Sequence, residues 1–309
     1  MKKLLIIDTF NFFYRAYHAL PVSLTDSTGT PVNAVYGVSS MLINIFALIK
    51  PDYVIAALES VEKTERKKQF EDYKAHRKPM DEELKVQIPI LFEVLKAFDI
   101  CTLTLNGYEG DDIIGSLAKT YSKDMEIVIA SNDRDLWQLV GGNVLVMSPK
   151  NNGSSADWIG TREVAAKFGF GPEKIVDYKA LTGDPSDNIP GVMGIGKVSA
   201  TKLLVKYGSL DEIYAHLEEV GSSFGAGVAK KLEEGREKAF LSKELAQLQM
   251  DLDLSVSLED CAYLGSNKDS VKEVFEKYGF YSLLRRLGNG AEISSEENPK
   301  KDLNQLGLF

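Results

Sequence analysis

Seven acidic residues stand where four apolar runs of this chain end. The runs occupy residues 4–7, 53–58, 102–105 and 126–130, and the acids that follow them are Asp8, Glu59, Glu109, Asp111, Asp112, Asp133 and Asp135. Singly, each acid is more often a helix cap or a solvated loop residue. Gathered in one place, however, they need counter-charge, because neighbouring carboxylates force either protonation or cation binding. Hard divalent cations prefer oxygen ligands, so the pattern favours a metal site.

The apolar runs alternate with helical patterns, and this alternation would bring the acids together. Each run is typical of a strand buried in a parallel sheet, and residues 144–147 supply a fifth. Helical spacing is clearest at residues 34–49, 81–98 and 113–121. In such a chain the carboxyl ends of the strands share one edge, where sites are built. The predicted fold class is α/β, with a mostly parallel central sheet flanked by helices.

The chain changes character near Gly160, where short helices and tight turns begin. The glycine-rich residues 191–196 precede a basic helix that carries Lys197 and Lys202. A dinucleotide fingerprint is not indicated, because no buried strand precedes the glycines. Glycines between helices let backbone amides approach a phosphate, so this turn is a candidate contact for a nucleic-acid backbone. An ordinary helix-to-helix turn remains the alternative.

Charge has to be read by segment in this protein. The 309 residues are 44% hydrophobic and carry a net charge of -9, which argues mildly against a polyanionic ligand. Residues 63–78 nevertheless contain seven lysines and arginines, which outnumber the acids there. A local basic surface is therefore predicted within an acidic protein.

The cysteines and the amino terminus indicate the compartment. Cys101 and Cys261 are far apart in sequence and show neither a disulfide framework nor a metal spacing, so buried thiols in a reducing compartment are predicted. The first apolar run is too short for a signal segment, and no run approaches a membrane span. We expect a cytoplasmic, monomeric protein without a membrane partner.

The last residues of the chain form two contrasting stretches. Residues 289–304 are polar and charged, which predicts a disordered tether. Residues 305–309, Gln-Leu-Gly-Leu-Phe, are suddenly apolar. Such an end is either an unstructured stub or a docking peptide.

Together these motifs resemble a known family, the 5′ nuclease domain of bacterial DNA polymerase I and its stand-alone relatives in the flap endonuclease superfamily. The resemblance covers about residues 4–287. The motifs that carry it are Ile6-Ile7-Asp8, Tyr14-Arg15-Ala16, Asn33-Ala34-Val35-Tyr36-Gly37, Glu65-Arg66, Tyr73-Lys74-Ala75-His76-Arg77, Gly107-Tyr108-Glu109-Gly110-Asp111-Asp112, Asp133-Arg134-Asp135-Leu136, Gly183-Asp184-Pro185-Ser186-Asp187-Asn188-Ile189-Pro190-Gly191 and Phe280-Tyr281-Ser282-Leu283-Leu284.

The resemblance implies a domain organisation. Residues 1–160 would form a PIN-like α/β nuclease core with a helical arch at residues 60–98. Residues 161–288 would form a helical domain that binds duplex DNA, with a helix-turn (H3TH) motif near residues 184–206. Residues 289–309 would be the tail. No polymerase domain follows in the sequence, so a free-standing nuclease is expected.

The resemblance also implies roles for individual residues. One metal site would use Asp8, Glu59, Glu109 and Asp111, and a second would use Asp112, Asp133, Asp135, Asp184 and Asp187. The scissile phosphate would be met by Lys74 and Arg77, and the DNA by Arg66, Tyr73, Gly191, Gly194, Gly196, Lys197 and Lys202. The cofactors implied are two Mg²⁺ ions, replaceable by Mn²⁺, and a K⁺ ion at the helix-turn motif. Glu59 departs from the family pattern, which usually has Asp, and Asn132 stands where Gly is typical.

The function implied is a 5′→3′ exonuclease and 5′-flap endonuclease that acts on DNA in primer removal and repair. The sliding clamp of bacteria would bind the tail through Gln305, Leu306, Leu308 and Phe309, with Gly307 a departure from the usual motif. Two alternatives stay open. One is a non-catalytic binder of branched DNA, recruited by the clamp, in which Glu59 has weakened turnover. The other is a ribonuclease of the related α/β type.

Overall fold

One six-stranded sheet organises the chain, of which the computed structural model describes residues 1–60, 62–150 and 154–288. The strands follow the order β3-β2-β1-β4-β5-β6, and the first five are parallel. Their bounds are β1 Lys3–Asp8, β2 Tyr53–Ala57, β3 Cys101–Leu103, β4 Glu126–Ala130, β5 Val144–Lys150 and β6 Ser155–Ile159. This arrangement confirms the predicted mostly parallel α/β fold. The antiparallel edge strand β6 was not predicted, because its mainly exposed residues form no apolar run.

Fifteen α-helices surround the sheet within the described part of the chain. They are α1 Thr9–Ala19, α2 Asn33–Ile49, α3 Glu65–Gln69, α4 Glu82–Lys85, α5 Ile88–Ala97, α6 Gly110–Tyr121, α7 Thr161–Phe168, α8 Ile175–Thr182, α9 Lys197–Tyr207, α10 Leu210–Ala215, α11 Leu217–Phe224, α12 Ala226–Glu234, α13 Arg236–Ala246, α14 Lys268–Lys277 and α15 Tyr281–Gly288. Short 3-10 turns occur at Asp135–Leu139, Pro172–Lys174 and Glu259–Cys261.

The helix predicted over residues 81–98 is two helices, α4 and α5. Between them lies Gln87, whose buried side chain accepts hydrogen bonds from the amides of Ala34 and Val35 at 2.9 and 3.3 Å. The break therefore satisfies free amides at the start of α2, as a helix cap does. The segment predicted as irregular, residues 60–80, also contains the short helix α3.

Alternate residues of β1 face two separate hydrophobic clusters, as the pleat of a strand requires. Leu5 and Ile7 pack with residues of α1, α2 and α5, whereas Leu4 and Ile6 pack with residues of α6 and of helices α7–α10. Each cluster covers one face of the sheet, so the strands are buried on both sides. No helix in the described residues combines the length and the apolar character that a bilayer crossing would need.

The last two helices do not stay with the other C-terminal helices. Phe275 of α14 and Leu283 of α15 are fully buried in the cluster that contains Leu5. Tyr36 Oη and Ser282 Oγ are 2.8 Å apart, which joins α15 to α2. The predicted helical domain at residues 161–288 is thus divided: α14 and α15 pack against the N-terminal half of the chain. The predicted tail at residues 289–309 lies outside the described residues.

Candidate active site

The carboxyl ends of β2, β1 and β4 lie next to one another and deliver acids to a single edge. Asp8 is the last residue of β1, Glu59 follows β2, and Asp133 follows β4. Ser131, also after β4, donates its hydroxyl to Asp8 Oδ2 at 2.5 Å. The predicted convergence of these strand ends is confirmed.

Asp8 is a buried acid whose pKa is raised by its surroundings. Its carboxylate is 8% exposed and also accepts the amide of Asn11, at 3.3 Å, at the start of α1. Burial, with repulsion from Asp133 and Glu59, raises the pKa of Asp8 to about 7. Glu59 is more open to solvent, and its Oε2 lies 3.5 Å from the amide of Gly110. Desolvation of the carboxylate by the surrounding protein, together with the charge of Glu109, still raises the pKa of Glu59. Lys74 has the opposite effect.

The start of α6 brings a further group of acids to the same edge. Glu109 caps the helix and is 6% exposed, and Asp111 lies in the first turn. Burial raises the pKa of Asp111 well above its ordinary value, and the charges of Asp8 and Asp133 add to the effect. These shifts report mutual proximity, because carboxylates raise one another's pKa only at short range.

Asp112 forms a buried ion pair with Arg66, whose Nη1 also reaches Glu109 Oε2 at 3.2 Å. Arg66 donates to Asp112 Oδ1 at 2.6 Å and to Oδ2 at 2.8 Å, and its own exposure is 7%. The amide of Gln249 donates to Oδ1 at 2.9 Å, and the amide of Glu109 donates to Oδ2 at 3.2 Å. Both oxygens of Asp112 are therefore occupied by protein donors. Asp112 and Arg66 thus bind each other within the protein, and their predicted contacts with metal and DNA stay predictions.

Lys74 and Arg77 bind carboxylates from two separate parts of the chain. Lys74 Nζ lies 2.9 Å from Glu109 Oε2 and 3.7 Å from Asp187 Oδ2, and Arg77 Nη2 lies 2.6 Å from Asp187 Oδ1. Burial would lower the pKa of Lys74, but Glu109 and Asp187 outweigh it and raise the pKa. The predicted phosphate-binding residues thus hold their positive charge at the carboxylate cluster.

Tyr73 lies beneath this pair and is 3% exposed. Its hydroxyl is 3.0 Å from Glu109 Oε2 and 3.2 Å from Asp187 Oδ2, so it bridges the two carboxylates. Burial and the two negative charges raise the pKa of Tyr73, which keeps the phenol protonated as a donor. Tyr73 therefore positions two acids, and its predicted contact with DNA stays a prediction.

The backbone fastens the segment that carries Lys74 to the loop that carries Asp187. Lys74 has a φ of 54°, a conformation that bulky residues rarely adopt. Its amide donates to Asp187 O at 3.0 Å, and Asn188 Nδ2 donates to Asp72 O at 2.7 Å. These bonds offset the backbone strain and fix the place from which the lysine side chain extends.

Lys179 of α8 joins the remaining acids, and sequence reasoning missed it. Its ammonium group binds Asp135 and, at 2.7 Å, Asp184 Oδ2. Burial raises the pKa of Asp135 to about 6 despite the nearby charge of Lys179. At Asp184 the effects of Lys179 and Ser186 outweigh burial, so the pKa of Asp184 is lowered. A lysine one helical turn before an acidic loop was the only available signal, and that signal is weak without the fold.

The donor set fits a hard divalent cation, because it consists of crowded anionic oxygens that repel one another. Across residues 1–60, 62–150 and 154–288, no three acidic, histidine or cysteine side chains already form a metal cage. Basic side chains, Lys74 and Lys179 among them, neutralise several of the carboxylates instead. The acids therefore meet at one edge of the sheet, and their coordination of a metal ion stays a prediction.

The glycine-rich turn at residues 191–196 connects α8 to α9 on the protein surface. Gly191 adopts a φ of 62°, and a Cβ atom there would lie 2.2 Å from the amide nitrogen of Gly183. Only glycine permits this close approach. Gly194, Gly196, Lys197 and Lys202 are exposed beside the turn. Lys231 of α12, which sequence reasoning also missed, approaches Gly194 O at 3.4 Å. The predicted clamp-binding residues Gln305, Leu306, Leu308 and Phe309 lie outside the described residues.

Comparison with known sequences relates nearly the whole chain to one family. Residues 3–169 match the family described as 5′-3′ exonuclease, N-terminal resolvase-like domain, and residues 170–269 match the 5′-3′ exonuclease, C-terminal SAM fold. A 5′-3′ exonuclease of Aquifex aeolicus is 39% identical over 93% of this chain and 96% of its own length. DNA polymerase I of Caldicellulosiruptor bescii is 44% identical over 95% of this chain, which spans 34% of that protein.

Solved structures share the fold at low sequence identity. The T5 5′-exonuclease with bound zinc ions matches with a TM-score of 0.66 and 20% identity, over 89% of this chain and 99% of its own. The catalytic core of Rad2 in complex with DNA substrate matches with a TM-score of 0.60 and 14% identity, over 89% and 86%. These structures show the fold, and the family match with the Aquifex aeolicus relative shows that the chain belongs to the 5′–3′ exonuclease family.

Proposed function

We propose that this protein is a structure-specific, divalent-metal-dependent 5′→3′ exonuclease and 5′-flap endonuclease that acts on DNA in primer removal and repair. The observation that carries the proposal is the edge where Asp8, Asp111 and Asp133 crowd together beside Lys74, and where burial and this crowding raise the pKa of Asp8 and of Asp111. Hydrolysis of a phosphodiester needs positive charge around the phosphate and an activated water. The basic side chains would supply positive charge around the phosphate, and cations held by the crowded carboxylates would activate the water.

As the family resemblance implies, two groups of these acids would each hold one Mg²⁺ or Mn²⁺ ion. The first comprises Asp8, Glu59, Glu109 and Asp111, and the second comprises Asp133, Asp135, Asp184 and Asp187. Asp112 is left out, because protein donors occupy both of its oxygens. When bound, such ions supply a polarised water and neutralise charge on the phosphate.

The chain's own cations would act on the substrate. Lys74 and Arg77 would offset the negative charge of the scissile phosphate, which grows toward the transition state. Tyr73 would keep Glu109 and Asp187 at a fixed separation through its hydroxyl. Lys179 would hold Asp135 and Asp184 in the same way. Because these carboxylates come from different elements, the bridges preserve the geometry of the edge.

The turn at residues 191–196 would hold the duplex by its backbone. Exposed amides at the start of α9, together with Lys197 and Lys202, suit phosphate oxygens and carry no base-reading groups. A K⁺ ion at this turn belongs to the same proposal. Binding should accordingly depend on salt rather than on base sequence.

Replacing both lysines, in Lys197→Ala/Lys202→Ala, should weaken the binding of nicked duplex DNA and lower its salt dependence. We expect the slope of log K against log salt to fall by about 1 for each lysine that contacts a phosphate. Fluorescence anisotropy at several salt concentrations measures both quantities. Lys123→Ala, an exposed change at the opposite edge of the sheet, is the matched control and should leave the slope unchanged. An unaltered slope in the double variant would exclude this turn from the DNA contact.

A 5′-labelled flap substrate tests the proposed activity directly. With Mg²⁺ the flap should be released with a 3′-hydroxyl, and the nicked strand should keep a 5′-phosphate; with EDTA there should be no cleavage. Retained DNA binding without cleavage would support the branched-DNA binder. Preferential cleavage of single-stranded RNA without regard to flap structure would support the ribonuclease.

We further propose that Gln305, Leu306, Leu308 and Phe309 dock on the bacterial sliding clamp. Support comes from the sequence, where an apolar pentapeptide follows the polar residues 289–304. Deleting residues 305–309 should abolish association with the clamp in surface plasmon resonance, while flap cleavage without the clamp stays unchanged. Equal clamp affinity of the full and shortened chains would refute the docking role.

A further inference from the structure

The two cysteines, distant in sequence, lie side by side in the fold. Cys101 begins β3 and pairs with Ile55 of β2. Ala262 pairs with Tyr53, two positions earlier on the same strand. The segment that contains Cys261 therefore lies beside β2, on the same side of that strand as β3 and next to the start of β3. These two pairings place the thiols close enough that Cys261 lowers the pKa of Cys101 and Cys101 raises that of Cys261.

The two thiols differ in their access to solvent. Cys261 is 3% exposed within the hydrophobic cluster that covers one face of the sheet. Cys101 is half-buried at the rim of the same cluster. A small oxidant can thus approach Cys101, while Cys261 lies behind it. This is the arrangement of an attacking thiol beside a resolving thiol.

We propose that Cys101 and Cys261 form a reversible disulfide when the protein meets a hydroperoxide, and that this bond fastens the segment between α13 and α14 to the sheet. In the reduced protein the Cys261 segment is joined to the sheet by the pairing of Ala262 with Tyr53 and by the bond from the Tyr263 amide to Asp52 O, at 2.8 Å. A covalent link beside these contacts would hold the segment more firmly.

The chemistry balances with hydrogen peroxide as the co-reactant. The Cys101 thiolate attacks one peroxide oxygen, the O–O bond breaks, and the departing hydroxide takes a proton to become water. The Cys261 sulfur then attacks the sulfenic sulfur of Cys101, the S–O bond breaks, and the second hydroxide takes the proton of Cys261. Two thiols are oxidised to one disulfide, and one peroxide is reduced to two waters. The hydrogen bond from Cys261 lowers the pKa of the Cys101 thiol, which favours this assignment of roles.

The position of the pair separates this reaction from the nuclease site. Cys101 is the first residue of β3, whereas the acids gather beyond the carboxyl ends of the strands. The cross-link would join two residues that are distant in sequence, so it should restrict the unfolded chain strongly. Its main effect should therefore be on stability.

Peptide mapping of the full chain tests the bond. After exposure to hydrogen peroxide and trapping of free thiols by alkylation, non-reducing digestion should yield one cross-linked peptide that contains both cysteines, and dithiothreitol should remove it. Cys261→Ser should yield no such peptide, and its Cys101 should proceed to sulfinic acid. Alkylation of both thiols after peroxide treatment, or oxidation of Cys101 to sulfinic acid in the unsubstituted protein, would overturn the proposal.

Thermal unfolding provides an independent measurement. Oxidation should raise the Tm of the unsubstituted protein by about 5 °C, and dithiothreitol should reverse the rise. The same treatment should not raise the Tm of Cys101→Ser or of Cys261→Ser. An equal rise in either serine variant would show that another modification is responsible and would overturn the proposal.

Discussion

Asp111→Asn is expected to reduce flap cleavage about a thousandfold while the DNA stays bound. Asp111 lies among Asp8 and Asp133, and its amide replacement removes one anionic oxygen from the centre of the cluster. Cleavage rates at saturating enzyme, with DNA affinity measured in parallel, separate the two effects. Because the backbone contacts are assigned to the turn at residues 191–196 and its lysines, and not to Asp111, affinity should change little.

The same substitution should stabilise the protein when no metal is present. Burial and neighbouring charge raise the pKa of Asp111 well above its ordinary value, so the folded state holds its proton more tightly than the unfolded state does. As the pH rises above the pKa of Asp111 in the unfolded chain, the unfolded state releases a proton that the folded state retains, so the free energy of unfolding falls. Asparagine does not titrate and removes this loss. We expect a higher Tm for Asp111→Asn at neutral pH in EDTA.

Asp124→Asn is the matched control, since Asp124 lies beyond the far end of α6 and is exposed. It should alter neither the cleavage rate nor the Tm. Full activity of Asp111→Asn would remove Asp111 from the catalytic site, and a lower Tm would contradict the inferred repulsion.

Arg66→Met is expected to lower the free energy of unfolding by about 3–5 kcal/mol. The substitution leaves Asp112, which is 1% exposed, without its cationic partner. Removing one member of a buried ion pair is far more costly than removing an exposed one. Urea unfolding followed by circular dichroism measures the difference.

A second substitution distinguishes loss of the ion pair from loss of packing. In Arg66→Met/Asp112→Asn the charge of Asp112 is gone, and Glu109, which Arg66 also binds at 3.2 Å, keeps Lys74 at 2.9 Å. Part of the lost stability should therefore return. Lys68→Met, which removes an exposed pair with Glu65 on the same helix, should change stability by less than about 1 kcal/mol. Additive losses in the double variant would mean that Arg66 and Asp112 are not coupled.

Local patterns along the chain were enough to predict the class of fold and the edge on which the site is built. Uninterrupted apolar runs at β1, β2 and β4 can only be strands buried on both faces, and helical segments between them force the strands to be parallel. Acids directly after such strands must then meet, which is why Asp8, Glu59 and Asp133 could be assigned to one site. The short strand β3 was placed slightly late in the chain, and β6 was missed, because neither has a long apolar run.

The pairing of those charges, in contrast, could be read only from the three-dimensional packing. Asp112 is adjacent to Asp111 in sequence, yet successive residues of a helix point in different directions, and Asp112 turns inward to Arg66. Likewise, Tyr73 and Lys74 reach Asp187, and Cys101 reaches Cys261, across separations that no local pattern encodes. Such pairings depend on how elements pack together, and packing is a property of the whole chain. The physical reason is that local sequence governs backbone periodicity, whereas the neighbours of a side chain are set by contacts between distant segments.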